Sequence, residues 1–167
     1  NGKKLGFELR TAKYGKTNPY PAPGAVTMAF ALPESAPSAP LGDGVATGGI
    51  DRTGLVKLNI VMPNGARATS SGPILKSDDY VMNALSNTGN KPALIGAIHM
   101  TSERASLDYD GTLRLYAQSA PLSGQSIGAV DQQRLVMGSA YRPASKGLSP
   151  YFENTLSGWN TRFNLID

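Results

Sequence analysis

The chain has 167 residues, of which 40% are hydrophobic and 17% charged, with a formal net charge of +4. That length fits one domain able to bury a sizeable core, and the composition excludes a disordered polyampholyte. No apolar run approaches the roughly 20 residues a transmembrane helix needs, and the absence of cysteine excludes disulfides, thiolate metal sites and a cysteine nucleophile.

At the N-terminus, Lys3, Lys4, Arg10, Lys13 and Lys16 are opposed by one acid, Glu8. Leu5, Phe7 and Leu9 alternate with Lys4, Glu8 and Arg10, the period of a strand with one apolar face. Basic residues on an edge strand guard against aggregation, and so small a net charge steers partners weakly. Aromatic residues are not interleaved with the bases, so no nucleic-acid partner is expected. The run Asn18-Pro19-Tyr20-Pro21-Ala22-Pro23-Gly24 then detaches this segment. Residues 1–23 are accordingly read as a basic strand and Pro-rich loop, and residues 24–167 as a single antiparallel β domain. A chain that starts at Asn1 without an apolar signal segment is expected to be a mature processed protein or an excised piece of a longer one.

In the next segment Val26, Met28, Phe30 and Leu32 share one face of a strand, and residues 33–40 form a low-complexity Pro/Ser/Ala loop. Residues 49–72 are the most legible stretch. Val56, Leu58, Ile60 and Met62 alternate there, Asp51-Arg52-Thr53-Gly54 precedes them and Pro63-Asn64-Gly65 follows. The segment reads strand, turn, strand, turn, strand, with Asn-Gly supplying positive φ. Residues 79–85 form a further short strand and 87–90 a turn. Residues 91–101 carry Leu94, Ile98 and Met100 on one face, with Gly96 between them.

Asp110-Gly111 reads as a second hairpin turn, followed by the alternation of Leu113, Leu115 and Ala117 with Arg114, Tyr116 and Gln118. Residues 128–134 fit either a strand or a short helical turn, and residues 135–141 and 161–166 complete the strands. An echo runs from Asn64-Gly65 to Ser71-Gly72-Pro73-Ile74 and from Asp110-Gly111 to Ser119-Ala120-Pro121-Leu122, as if one hairpin device were used twice. Helical spacing never persists, and Pro or Gly interrupts most segments. The expected fold is all-β, an antiparallel meander forming a β-sandwich or β-barrel with little or no helix.

Several of these motifs occur together: Gly42-Asp43-Gly44-Val45-Ala46-Thr47, then Asp51 with Gly54, Val56 and Leu58, then Asn64-Gly65 and Ser71-Gly72-Pro73-Ile74. Lys91-Pro92-Ala93-Leu94-Ile95-Gly96 and Gly111-Thr112-Leu113 continue the series. Over residues 42–121 the chain thereby resembles the β-meander repeat modules of very large secreted bacterial surface proteins. It departs from them where Asp79-Tyr80-Val81-Met82 stands in place of a Trp-Pro-Leu-Tyr strand. The resemblance implies an extracellular, non-enzymatic structural or adhesive module and brings no defined site.

Catalytic grammar is missing. His99 is the only histidine, and neither a nucleophile-elbow motif nor a pair of metal-ligating histidines accompanies it. No cofactor is expected. Asp108 and Asp110 precede Gly111 as in a calcium loop, but the bidentate Glu that usually closes one does not follow. Tyr80, Tyr116 and Trp159 are the candidates for stacking on a pyranose ring, since flat apolar faces hold sugars.

The function expected from these features is a non-enzymatic structural or adhesive protein of the bacterial cell exterior. It would self-associate, or meet other surface proteins, through sheet edges or the strand containing Lys3, Lys4, Leu5, Phe7, Leu9 and Arg10. The alternative is a carbohydrate-binding β module with a glycan ligand. A virion subunit and a glycoside-acting enzyme built on paired carboxylates rank behind both.

Overall fold

Segments with period-2 alternation become strands. The computed structural model of the chain describes residues 10–33, 42–87, 91–101, 108–118, 120–122, 125–127 and 129–141, and the regular elements among them are all β-strands. They are β1 (Gly24–Ala31), β2 (Gly44–Ile50), β3 (Leu55–Val61), β4 (Arg67–Pro73), β5 (Asp79–Leu85), β6 (Ala93–Met100), β7 (Asp108–Ala117), β8 (Ala120–Leu122), β9 (Gln125–Ile127) and β10 (Val130–Tyr141). The predicted strands over residues 5–10 and 161–166 lie outside the described residues. Where strand and helical turn were both open, over residues 128–134, the strand begins at Val130.

Eight strands form one antiparallel sheet in the order β4-β3-β2-β1-β10-β7-β6-β5, while β8 and β9 make a small separate hairpin. Apart from that hairpin, every sheet neighbour is also the neighbour in sequence, except that β10 returns to pair with β1. The ring is therefore an up-and-down barrel, nearly closed, which decides between the two architectures left open by the strand pattern. The β1–β10 ladder runs from Ala25↔Tyr141 to Ala31↔Leu135.

Between β4 and β5 no continuous ladder forms; there is one isolated bridge, Ile74↔Tyr80. The β4 sequence RATSSGP explains this. Its inward positions are the small Ala68, Ser70 and Gly72, and Pro73 has no N–H to donate. Tyr80 of β5 fills the space, fully buried, with its nearest ring atom 3.3 Å from where a Cβ on Gly72 would stand. Its hydroxyl donates to Ser70 Oγ at 2.6 Å, and Ser70 Oγ also accepts from Asn83 N at 3.3 Å. A side-chain pair thus joins the seam where backbone bonds do not.

Inward residues of all the barrel strands fill the interior, among them Met28, Phe30, Leu58, Ile60, Met82, Leu94, Ile98, Leu113 and Leu115. Burying such side chains is the main favourable term for the fold. Glycine admits the close strand approaches: a Cβ on Gly48 would lie 1.9 Å from Lys57 O, and one on Gly111 would lie 2.4 Å from Ala97 O. Gly111 thus belongs to the middle of β7, and Asp110-Gly111 is not a hairpin turn. The second half of the hairpin echo is withdrawn with it.

Turns flanking β3 follow their local chemistry. Asp51 Oδ1 accepts from Thr53 N, Thr53 Oγ1 and Leu55 N at 2.7, 2.6 and 3.1 Å. Gly54, at φ 74°, closes that loop. In the next turn Gly65 alone takes positive φ, at 81°, while Met62 N donates to Ala66 O. Pro63-Asn64-Gly65 is thus a three-residue loop rather than a two-residue Asn-Gly turn.

Residues 10–20, grouped with the N-terminal arm on sequence grounds, lie across one end of the barrel. Lys76 N donates to Thr11 O, Lys13 N to Ile74 O and Tyr20 N to Arg52 O, at 3.1, 2.9 and 2.8 Å. Lys13 Nζ donates to both oxygens of Asp78, at 2.5 and 2.6 Å. Tyr14 meets Tyr20 edge-on, with centroids 5.0 Å apart, and the hydroxyl of the buried Tyr20 reaches Thr101 O at 3.4 Å.

The cap and seam give the protein an alkaline weakness. Desolvation raises Tyr20 and Tyr80 above the ordinary 10.0, and the hydrogen bond to Asp78 raises Lys13 above 10.5. All three hold protons in the folded state that the unfolded chain releases earlier. Their contribution is fully present below about pH 10 and is lost as pH rises through the folded values. Asp51, lowered from 3.8 by the Thr53 hydroxyl, works the other way and loses its contribution as pH falls through its folded value. Urea titrations are expected to show stability falling above about pH 10, with buried tyrosinate absorbance appearing only in the unfolding transition. The double variant Tyr20→Phe/Tyr80→Phe should flatten that alkaline limb; an unchanged limb would exclude these two phenols as its cause.

Candidate functional site

Because side chains occupy the inside of the barrel, its outer wall and ends are the surfaces it presents to other molecules. Among the described residues one charged side chain, Arg134, is buried at an inward position. Arg134 of β10 is fully buried; its Nη1 donates to Gly42 O at 3.0 Å and its Nη2 to Gln132 Oε1 at 2.8 Å. Its Nε has no hydrogen-bond partner among the described residues. Burial lowers the pKa of this guanidinium from the usual arginine value, and Asp43 opposes that shift. Arg134 ties the segment leading into β2 to β10, across the intervening β1. Sequence reasoning missed it; its only signal was that it shares an alternation phase with Val130 and Val136.

Of the stacking candidates, Tyr80 must be corrected. It is fully buried at the seam with its hydroxyl on Ser70, so no sugar can reach its face. An aromatic residue in an alternating strand goes to the core when its phase matches the apolar set, and Tyr80 is in phase with Met82 and Ala84. Trp159 lies outside the described residues. Tyr116 stands on the outer wall, 40% exposed, with the Arg114 guanidinium 5.5 Å from its ring centroid. Arg114 in turn holds Asp131 through two bonds, Nε to Oδ1 at 2.6 Å and Nη2 to Oδ2 at 2.9 Å.

The calcium candidates fare no better than Tyr80. Asp108 and Asp110 belong to the extended β7 and not to a loop that could wrap oxygen ligands around an ion. Among the described residues no group of three or more His, Cys, Asp or Glu side chains could hold a metal. His99 faces outward on β6, in register with Asp79 on one side and Asp110 on the other. Its Nδ1 lies 3.4 Å from Asp79 Oδ1.

The outer wall also presents apolar side chains. On β5 and β6 the outward Val81, Leu85 and Ile95 are 46%, 61% and 40% exposed. Ala97 stands beside Val81 in the register, and Ala93 beside Leu85. Next to this stripe, along the seam, an open groove of about 590 Å³ is lined by Arg10, Gly72, Pro73, Leu75, Val81, Gly96 and Ala97. Of the subunit-contact candidates only Arg10 is described; it is exposed and lines this groove. Lys3, Lys4, Leu5, Phe7 and Leu9 lie outside the described residues. A second exposed apolar set, Val45, Val61, Leu135 and Met137, lies on β2, β3 and β10.

No helix among the described residues is long and apolar enough to cross a membrane. No protein-family model matches the chain, and no curated protein or solved structure matches it either.

Proposed function

We propose that this protein is a non-enzymatic structural or adhesive β subunit of the bacterial cell exterior that assembles with copies of itself or with related subunits. The observation that carries the reading is the β4–β5 seam. Two adjacent strands lie side by side with one isolated bridge and a side-chain bond in place of a ladder, and exposed Val81, Leu85 and Ile95 lie beside them. Open strand edges and apolar walls are what β proteins offer to one another. The alternating basic sequence from Lys3 to Arg10 is the complementary element in this reading.

Light scattering of the native protein across a concentration range tests this. Large or open-ended assemblies are expected, and they should vanish when residues 1–9 are removed. The deletion stops there because Lys13, Tyr14 and Tyr20 cap the barrel, so a cut to residue 16 would confuse lost assembly with lost folding. A persistent monomer would overturn the reading and favour the glycan alternative. One observation favours that alternative: Tyr116 is half-exposed beside the polar Arg114–Asp131 pair.

A further inference from the structure

Arg134 lies toward the end of the barrel away from the 10–20 cap. The cap bonds the β2–β3 turn at Arg52, and β2 starts at Gly44, so Gly42 marks the opposite end. The guanidinium is fully buried, yet both residues that accept its hydrogen bonds reach solvent: Gly42 is exposed and Gln132 is half-buried. It therefore sits about one side chain below the surface.

A guanidinium presents Nε–H and Nη2–H side by side along one edge, a spacing that matches the two oxygens of a carboxylate. Arg114 on the outer wall shows that edge filled, with Nε on Asp131 Oδ1 at 2.6 Å and Nη2 on Oδ2 at 2.9 Å. On Arg134 the same edge meets a single neutral oxygen. Gln132 Oε1 accepts from Nη2 at 2.8 Å, and Nε has no hydrogen-bond partner among the described residues. A carboxamide carries one acceptor oxygen where a carboxylate carries two and a charge. Asp43, the acid whose charge acts on this guanidinium, is exposed and accepts neither of its bonds. A buried charge without a paired carboxylate and a buried N–H without an acceptor each lower stability. Both penalties fall when a carboxylate takes the edge.

We infer that the Nε–Nη2 edge of Arg134 is a binding site for one carboxylate group, with Gln132 as the side chain that turns toward water when the carboxylate enters. The bond from Nη1 to Gly42 O stays in place and holds the guanidinium for its ligand. A carboxylate suits the edge because it is planar, like the carboxamide it replaces; a tetrahedral phosphate is bulkier. The carboxylate comes either from a small free acid or from an Asp or Glu side chain of a peptide. The site stands whether or not the protein assembles.

Thermal unfolding of the full-length chain in sodium formate, against sodium chloride at equal ionic strength, tests this. At about ten times its dissociation constant, formate should raise the folding equilibrium constant about tenfold, a shift of roughly 3–6 °C. Gln132→Glu puts a carboxylate on the same edge from within the chain. It should raise the melting temperature in chloride and abolish the response to formate. Arg134→Met removes the charge and should abolish the response as well. In NMR spectra, the arginine Nε–H resonance that Arg134→Met lacks should move as formate is added to the parent. An acetylated Gly-Glu-Gly amide, run beside its Gln counterpart, separates the two sources: the tighter of formate and the Glu peptide identifies which carboxylate the site takes.

Equal melting in formate and chloride with no effect of the Glu peptide would overturn the inference. So would a formate response that persists in Gln132→Glu, or a response to phosphate without one to formate. If Arg134→Met does not fold, Gln132→Glu alone decides.

Discussion

Replacing Tyr80 by alanine is expected to lower the stability of the protein by about 3–5 kcal/mol, the range for removing a large aromatic side chain from a packed core. The residue is fully buried and packs toward Gly72, and its hydroxyl donates to Ser70. Most core positions of the barrel lie between laddered strands, where backbone bonds survive a truncation. Tyr80 lies at the one junction without a ladder, so the void left by alanine opens directly between β4 and β5. Tyr80→Phe separates the two contributions: it keeps the ring and removes one hydrogen bond, at a cost of about 1 kcal/mol.

Equilibrium urea unfolding followed by circular dichroism measures both variants. Against a total stability of about 5–15 kcal/mol, the alanine variant would be marginal. Tyr80→Ala should also associate more readily than the parent, because its strand edges are less protected. A loss under about 1 kcal/mol would show that the seam is held by something other than this side chain.

Gly48→Ala carries the second large effect. The added Cβ would stand 1.9 Å from Lys57 O, 2.9 Å from Lys57 C and 3.0 Å from Leu58 Cα, all backbone atoms of the paired strand. No rotamer change relieves such a contact, so the β2–β3 ladder must move. The expected loss is about 3 kcal/mol, the upper part of the usual range for overpacking. Gly49→Ala is the internal control, since the nearest atom to its Cβ would be Gly24 O at 3.1 Å. That substitution should change stability by less than about 1 kcal/mol. Equal losses at the two positions would refute the steric argument and point to backbone entropy instead.

The local chemistry of single segments was legible because it depends on neighbours in the chain. Residues 79–85 alternate, and β5 spans Asp79–Leu85. Asp51 and Gly54 announce the turn before β3, and the structure shows Asp51 Oδ1 bonding Thr53 and Leu55 there. Asp110-Gly111 misled because the same dipeptide serves two physical needs. Glycine permits positive φ in a turn, and it also permits close approach in a strand. Which need applies depends on Ala97 and Ile98, the residues standing across from it.

The candidate site divides in the same way. The alternation of Leu5, Phe7 and Leu9 is a property of consecutive residues and was visible at once. The groove that Arg10 lines is assembled from β4, the β4–β5 turn, β5 and β6, and no short window contains it. Tyr80 and Tyr116 looked alike as tyrosines in alternating strands, yet one seals the core and the other faces out.

By itself, then, the sequence determined that this chain is all-β, where most of its strands run and which face of each is apolar. Period-2 alternation and Gly, Asn and Asp turn chemistry act within a few residues, and their energies do not wait for the rest of the fold. Only the tertiary structure decided that the strands form a barrel and that β10 closes it on β1. Only there did β4 and β5 become its seam and Arg134 an inward residue. Those outcomes depend on contacts such as Ala25↔Tyr141 between residues far apart in the chain. Such contacts form when the apolar faces of all the strands are buried together, and that packing is a property of the whole set of strands.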